Sequence, residues 1–446
     1  MKDKEDSVKN DGVKNNVDNL PQPRPEDRTN ASRRDFIKKT SAAATLVAAP
    51  ALLTKFARAS ERQIKIGLVI PKTGPAAMFT EPSEFVLSGA QKAFANGITV
   101  NGVNHPVEIL VKDSQSDLNR TAQVTAELIK SDKVDLMLGA HTDLCIPVSD
   151  QCEINGVPCV TDDCPLDSWF HARGSPAKGF EWTYHFFWGE IDLVNVYLGI
   201  WEEMPSNKII AELFTNDSDG VVMANFFQPR LKADGFTQVD PGRFTMMNAD
   251  YSGMIAQFKK ANAETCAGVL VPPDFANFWQ QALQQGYRPK VCTIAKAVLF
   301  PAAVSSYPNG GVGLTSEVWW SAFHPFRSSL TGQTAAEFCA EWEKVTGKQW
   351  TQPMGFEHAL FEVANDVLKR TKSLAPEAIR DALRTTDFNS IVGPIHFNDK
   401  VPNCSRTPLV GGQWVRGKKY PVELEIIFND TYPGIPKTGT LKPIPY

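Results

Sequence analysis

Ile64-Lys65-Ile66-Gly67-Leu68-Val69-Ile70, closed by Pro71 and Gly74, is a short run rich in β-branched residues. An apolar run of this kind reads as a strand buried on both faces, the situation of a parallel sheet covered by helices. Downstream the chain keeps the same grammar. A helix is expected over 84–96, a strand over 107–112, a helix over 120–130 with Ala122, Ala126 and Ile129 on one face, and a strand over 134–139. The segments 148–154 and 158–161 continue the series. Alternating strands and helices argue for βαβ units with right-handed crossovers, and so for an α/β fold.

Phe180-Glu181-Trp182-Thr183-Tyr184-His185-Phe186-Phe187-Trp188 reads as an aromatic bridge to a second series, which opens at Lys208-Ile209-Ile210-Ala211-Glu212-Leu213-Phe214. Helices are expected over 220–233, 251–261 and 275–285, interleaved with strands near Val239, over 268–271 and over 291–294. After Trp319-Trp320 helices are expected over 335–345 and 355–372, then short strands near Ile395, Leu409 and 424–428. The length exceeds what one core organises, so two α/β lobes of similar build are expected.

Upstream lies Ser32-Arg33-Arg34-Asp35-Phe36-Ile37-Lys38-Lys39, then an Ala-rich run over 41–53, then Ala57-Arg58-Ala59 before Ser60. Two arginines, a spacer, an apolar pair, a lysine and a weakly apolar run resemble a twin-arginine signal peptide spanning 32–59. The resemblance implies the twin-arginine export machinery as a partner, cleavage near Ala59 and a periplasmic destination. The run is too short and too rich in alanine for a good membrane span, which needs about 20 strongly apolar residues. Residues 1–31 hold few large apolar side chains to offset the entropy of ordering, and are expected to be a disordered extension.

Without residues 1–59 the 46 basic and 50 acidic residues fall to 34 and 42, a formal charge near −8. A nucleic-acid surface needs clustered Lys and Arg to displace counterions, and no such stripe is present. Eight cysteines, at 145, 152, 159, 164, 266, 292, 339 and 404, all follow the cleavage site, where an oxidising compartment lets some pair. His141, Cys145, Cys152, Cys159 and Cys164 crowd one span, but the close C-x-x-C pairs of structural zinc are missing. A disulfide fits this group better than a metal, with its connectivity open. Asn216 to Gly220 resembles part of a calcium loop, yet Gln228 stands where the closing Glu belongs, and helix capping explains it better. The absence of G-x-x-x-x-G-K-[ST], G-x-S-x-G and H-E-x-x-H argues against ATP hydrolysis by this chain and against an enzyme; no cofactor is expected.

Three motifs in this order carry a family resemblance: Ile66-Gly67-Leu68-Val69-Ile70-Pro71-Lys72-Thr73-Gly74-Pro75, Val111-Lys112-Asp113-Ser114-Gln115-Ser116-Asp117, and Pro147-Val148-Ser149-Asp150-Gln151 leading into Asn155-Gly156-Val157-Pro158. Over about 64–428 the chain resembles the type I periplasmic binding proteins of the branched-chain amino acid class, which serve ABC importers. The resemblance implies two Rossmann-like lobes with parallel sheets, joined by three crossovers and closing on a ligand. Lobe 1 would comprise 60–184 and about 322–405, and lobe 2 185–321 and about 406–446. The implied function is capture of an amino acid or related small carboxylate or amide, and its delivery to an ABC permease with its ATPase subunits. The alternative is a sensor that uses the same fold to signal through a membrane partner.

Strand-end loops of such sheets gather at the crevice. In the first lobe these are 73–79 with Thr73 and Phe79, then His141-Thr142-Asp143, then Thr161-Asp162-Asp163-Cys164. Family members place small hydroxyl residues on the last two to hold a ligand carboxylate, and Thr142 and Thr161 match. Asp143, Asp162 and Asp163 depart from that pattern, since a carboxylate beside a ligand carboxylate is costly unless protonated or paired; either an amine, an amide or a cation sits there instead, or one or more of them only caps the next helix. In the second lobe the loops carry Asp219, Phe275 and Lys296. Lys296 stands near where amino-acid binders of the family place an acidic residue for the ligand ammonium. With Phe79, Trp188, Phe275, Trp319 and Trp320 it suits a small aromatic or aliphatic carboxylate, or else most of these rings are core or inter-lobe packing.

Overall fold

β1 (Ile64–Ile70), buried at every residue but Lys65, is the hub of the first sheet in the computed structural model, which describes residues 62–446. The paired-arginine segment and its cleavage site lie outside the described residues. α1 (Ser83–Ala93) is followed by a two-stranded ribbon, β2 (Ile98–Val100) and β3 (Val103–His105), and then by β4 (Val107–Asp113). Asp117 caps α2 (Leu118–Glu127) by accepting a hydrogen bond from Arg120 N at 2.7 Å. Then come β5 (Leu136–Gly139), α3 (Thr142–Asn155), β6 (Cys159–Thr161), α4 (Leu166–Ala172) and β7 (Thr183–Phe187). Between β1 and α1 the chain turns back at Gly74, with φ at 92°, where a Cβ would sit 2.6 Å from the carbonyl oxygen of Gln115. Only glycine fits that approach.

The second series runs α5 (Glu190–Glu202), β8 (Ile209–Thr215), α6 (Ser218–Ala233), β9 (Thr237–Val239), β10 (Arg243–Phe244), α7 (Ser252–Lys260), β11 (Thr265–Leu270), α8 (Pro272–Gln284), β12 (Val291–Lys296), α9 (Pro301–Ser306) and β13 (Thr315–Val318). The tail adds α10 (Ala335–Thr346), α11 (Pro353–Arg370), α12 (Pro376–Arg384), a ribbon of β14 (Asp387–Ser390) and β15 (Gly393–His396), then β16 (Cys404–Arg406), β17 (Val410–Arg416) and β18 (Val422–Phe428). Among the described residues no helix is long and apolar enough to cross a membrane.

The first sheet has the order β16-β7-β6-β5-β1-β4 and is parallel throughout. The second has β10-β8-β11-β12-β13-β17-β18, with β9 also on β8; it is parallel as far as β13 and antiparallel beyond. The chain therefore passes between sheets three times, after β7, after β13 and after β16. In both sheets the strand order reverses beside the first strand of the series, at β1 and at β8. Such a switch parts the loops at the carboxyl ends and opens a crevice there.

The aromatic stretch 180–188 is not a bridge. Its centre, Thr183–Phe187, is a wholly buried strand of the first sheet. α5 escapes sequence reading for a related reason: it is buried on most sides, so no apolar stripe stands out against a polar face. α11 is also buried along most of its length, and Gly355 on it lies so close to Trp320 that a Cβ would come within 2.3 Å of the indole ring.

Candidate functional site

At the carboxyl ends of the two sheets lies a cleft with an inner and an outer part. The inner part is narrow, with about 330 Å³ of empty space including open solvent. Phe79, Asp163, Pro165, Phe187 and Trp188 wall it from the first series; Met223, Val269, Ala295, Lys296, Leu299, Glu317 and Trp319 wall it from the second. The outer part is wider, about 1430 Å³ including open solvent, and mostly apolar. It is bounded by the loops after β1, β5, β8, β10 and β11 through Ala76, His141, Asp217, Met246 and Val271. Lys296 borders both parts.

The backbone at this cleft is held in unusual conformations. His141, Asp163 and Lys296, each just past a strand or at its end, have φ of 84°, 58° and 63°. A side chain other than glycine or asparagine in this region costs of order 1–3 kcal/mol, and persists where the surroundings impose it, commonly at ligand sites. Phe79 sits edge-on to His141 with ring centroids 4.4 Å apart, and edge-on to Phe300 across the cleft at 4.8 Å. Phe187 packs against Trp188 and Trp319 at 4.9 and 5.0 Å.

Burial governs the charges. Desolvation holds the His141 imidazole down to about 3, helped by the nearby Lys296 ammonium, so the ring is neutral. Burial raises the Asp163 carboxyl well above the usual range, and Glu357 adds like-charge repulsion. Asp162, immediately beneath, is raised by burial and then by Asp163 and Glu357, and neither of its oxygens has a hydrogen-bond partner. Burial lifts Glu357 to about 8, partly offset by the Ser83 hydroxyl donating at 2.8 Å. Burial also lifts Glu317 to about 7, against hydroxyl groups of Tyr197 and Ser316 each 2.8 Å from Oε2. Burial thus favours the protonated form of the acids around the cavity, in which a carboxyl can donate as well as accept hydrogen bonds.

Of the twelve residues expected in the site, the fold brings Phe79, Asp163, Trp188, Lys296 and Trp319 together around the inner cavity. Four of the others fall elsewhere. Thr73 is exposed and spends its hydroxyl on Asp113 at 2.8 Å. Thr161 is buried behind the site, its Oγ1 2.8 Å from His185 Nδ1; His185 Nε2 lies 2.7 Å from the Cys164 carbonyl oxygen and so carries the donated proton. Asp162 is buried and does not line the cavity. Phe275 packs on Trp279 and Tyr307 in the second core. The side chains of Thr142, Asp143 and Asp219 lie outside the described residues. Neither Asp162 nor Asp163 provides the side-chain cap of α4, whose N-cap is Pro165. Asp217 does cap α6, accepting from Gly220 N at 2.7 Å. Cys152 and Cys159 come within hydrogen-bonding reach of one another, as do Cys266 and Cys292 on paired strands.

Sequence reasoning missed Phe187, Met223, Leu299 and Glu317. Glu317 left a signal: it is a carboxylate within a buried strand, just before two tryptophans, and such a charge asks for a reason.

A sequence profile described as periplasmic binding protein matches residues 63–407. The Leu/Ile/Val-binding protein homolog 7 of Brucella abortus is 22% identical over 385 residues, covering 82% of this chain and 93% of that protein. Homolog 3 of Brucella melitensis is 24% identical over 210 residues, 47% of this chain and 55% of the relative, so the match spans about half of that protein. A leucine binding protein from Thermotoga maritima superposes with a TM-score of 0.69 at 19% identity, over 82% of this chain and 99% of the other. A solute binding protein of an ABC transporter from Rhodopseudomonas palustris, solved with 3,4-dihydroxybenzoic acid, gives 0.67 at 18% identity over 83% and 99%. At these identities the superpositions carry the fold, two lobes built on mainly parallel sheets.

Proposed function

The chain belongs to the periplasmic binding protein family, and from that premise we propose that it is an exported substrate-binding protein of an ABC importer. It captures an amino acid or related small organic carboxylate or amide between its lobes and presents it to the permease. Transport energy comes from the ATPase subunits, since this chain carries no phosphate-binding loop. The observation that supports this most directly is the inner cavity: narrow, walled by residues of both series, aromatic on several sides and bordered by Lys296. Small-molecule sites have this character, an apolar enclosure with a few polar groups that orient the ligand. The solute binders among its structural relatives favour the same reading. Binding and lobe closure are one equilibrium here, because a ligand that touches both walls prefers the closed state by the contacts it makes there.

The test is a thermal-shift screen of the chain from Ser60 onward against amino acids, short amides, aliphatic acids and aromatic carboxylates, confirmed by calorimetry. A ligand at a hundredfold excess over its dissociation constant stabilises by about 2.7 kcal/mol. Absence of a shift across the panel with protein freed of co-purified ligand refutes the reading. The export step is tested separately: changing Arg33 and Arg34 to lysine should leave the chain in the cytoplasm, and normal export of that variant would refute the twin-arginine route.

A further inference from the structure

Among the described residues five buried indole N–H groups find acceptors. Trp169 donates to Ser149 Oγ at 3.0 Å, Trp201 to Thr293 Oγ1 at 2.8 Å, and Trp320, Trp342 and Trp414 to backbone carbonyls at 3.0, 3.1 and 2.7 Å. Trp188 and Trp319 do not. Both are nearly inaccessible, at 4% and 2% exposure, and the Nε1 of each is buried without a partner. Both border the inner cavity. A buried donor left unpaired costs the desolvation of that group with nothing in return, so two such donors at one small cavity mark the place where an acceptor from outside the chain belongs.

Each indole follows directly on the last residue of a strand, at the start of a crossover: Trp188 after β7, Trp319 after β13. They are thus fixed to opposite sheets. Phe187 packs edge-on against Trp319 and beside Trp188, which restrains both rings. Lys296 lines the same cavity together with Asp163 and Glu317, two acids whose protonated form burial favours, while Phe79 and Met223 offer apolar wall.

We propose that Trp188 and Trp319 are ligand-binding hydrogen-bond donors that select for an organic carboxylate, their indole N–H groups holding its oxygens while Phe79 and Met223 cover its apolar body. This rests on the solute-binding reading above and sharpens it. The amine of an amino acid is not needed by this arrangement. A donor fixed to each sheet also makes the carboxylate a bridge between lobes, so the same two bonds that select the ligand favour closure.

The experiment is calorimetry of the mature chain with benzoate and 4-methylvalerate, their amides, and phenylalanine and leucine, repeated on Trp188→Phe and Trp319→Phe. Phenylalanine keeps an aromatic ring and removes only the N–H. Carboxylates are expected to bind at least tenfold more tightly than their amides, and each substitution to weaken carboxylate binding about tenfold or more, the worth of a hydrogen bond to a charged group. Because a variant can fail through folding, the wild-type chain labelled with ¹⁵N indole provides a second readout. Of its ten tryptophans, the Trp188 and Trp319 Nε1–H resonances, assigned with the two variants, should move downfield on saturation with the tightest carboxylate. A carboxylate that binds wild type while both variants keep its affinity, or while both resonances stay in place, overturns this proposal and leaves the solute-binding function intact. Equal affinity for acid and amide also overturns it. If no panel member binds wild type, the solute-binding reading itself fails and this proposal with it.

Discussion

Glu357 is the carboxyl with the best-defined effect on stability. It lies on α11, 3% exposed, with Ser83 Oγ 2.8 Å from Oε2 and no partner for Oε1, beside the buried carboxyls of Asp162 and Asp163. Burial raises it from 4.5, its ordinary value, to about 8. At about 1.4 kcal/mol per pKa unit, ionising it in the fold costs on the order of 5 kcal/mol more than in the unfolded chain. Below pH 4.5 both states hold the proton and the term vanishes. Between pH 4.5 and 8 the unfolded chain loses the proton while the fold keeps it, so stability falls as pH rises, and it levels off above 8. Glu357→Gln keeps the shape and an acceptor for Ser83 but removes the ionisation. In urea denaturation of the mature chain from pH 5 to 9, followed by circular dichroism, the stability of the variant minus that of wild type should climb by several kcal/mol between pH 5 and 8. A difference that stays flat across that range would show that Glu357 does not hold its proton in the fold.

Gly355→Ala drives a methyl group to within 2.3 Å of the Trp320 ring; a loss of about 1–3 kcal/mol is expected in chemical denaturation, and an unchanged midpoint would contradict this packing. Asp217→Ala removes the side-chain cap of α6 and should lower stability by about 1 kcal/mol, whereas Asp217→Asn should retain most of it; equal losses in both would point away from capping. Phe300→Leu removes the edge-on contact with Phe79 across the cleft, worth about 0.5–1.5 kcal/mol beyond its area. Ligand affinity should weaken roughly two- to twelvefold by calorimetry, with the ligand-free protein more open by solution X-ray scattering; unaltered affinity and unaltered scattering would refute a role in closure.

The strands legible from sequence are those whose signal is local. β1, β4, β8 and β12 are apolar runs bounded by turn residues, and alternation with helices is enough to announce an α/β fold. The aromatic stretch 180–188 misled because large rings serve equally in a strand, a bridge or a binding site, and only pairing with β6 and β16 makes Thr183–Phe187 a core strand. The same ambiguity split the site residues. Asp162 and Asp163 are neighbours in sequence, yet only Asp163, with its backbone left-handed, reaches the cavity wall. Thr161, chosen for its hydroxyl, spends it on His185.

Composition, strand and helix periodicity and the order of a few loop motifs determined the fold class, the two series and the loops that face the cleft, because each is a property of neighbours along the chain. Which side chains meet at the cavity was decided by the tertiary structure alone. Trp188 and Trp319, far apart in sequence, are brought to one site because each follows the end of a strand in a different sheet. That Trp201 and Trp320 have acceptors and these two have none depends on groups that only folding brings within 3 Å or keeps away.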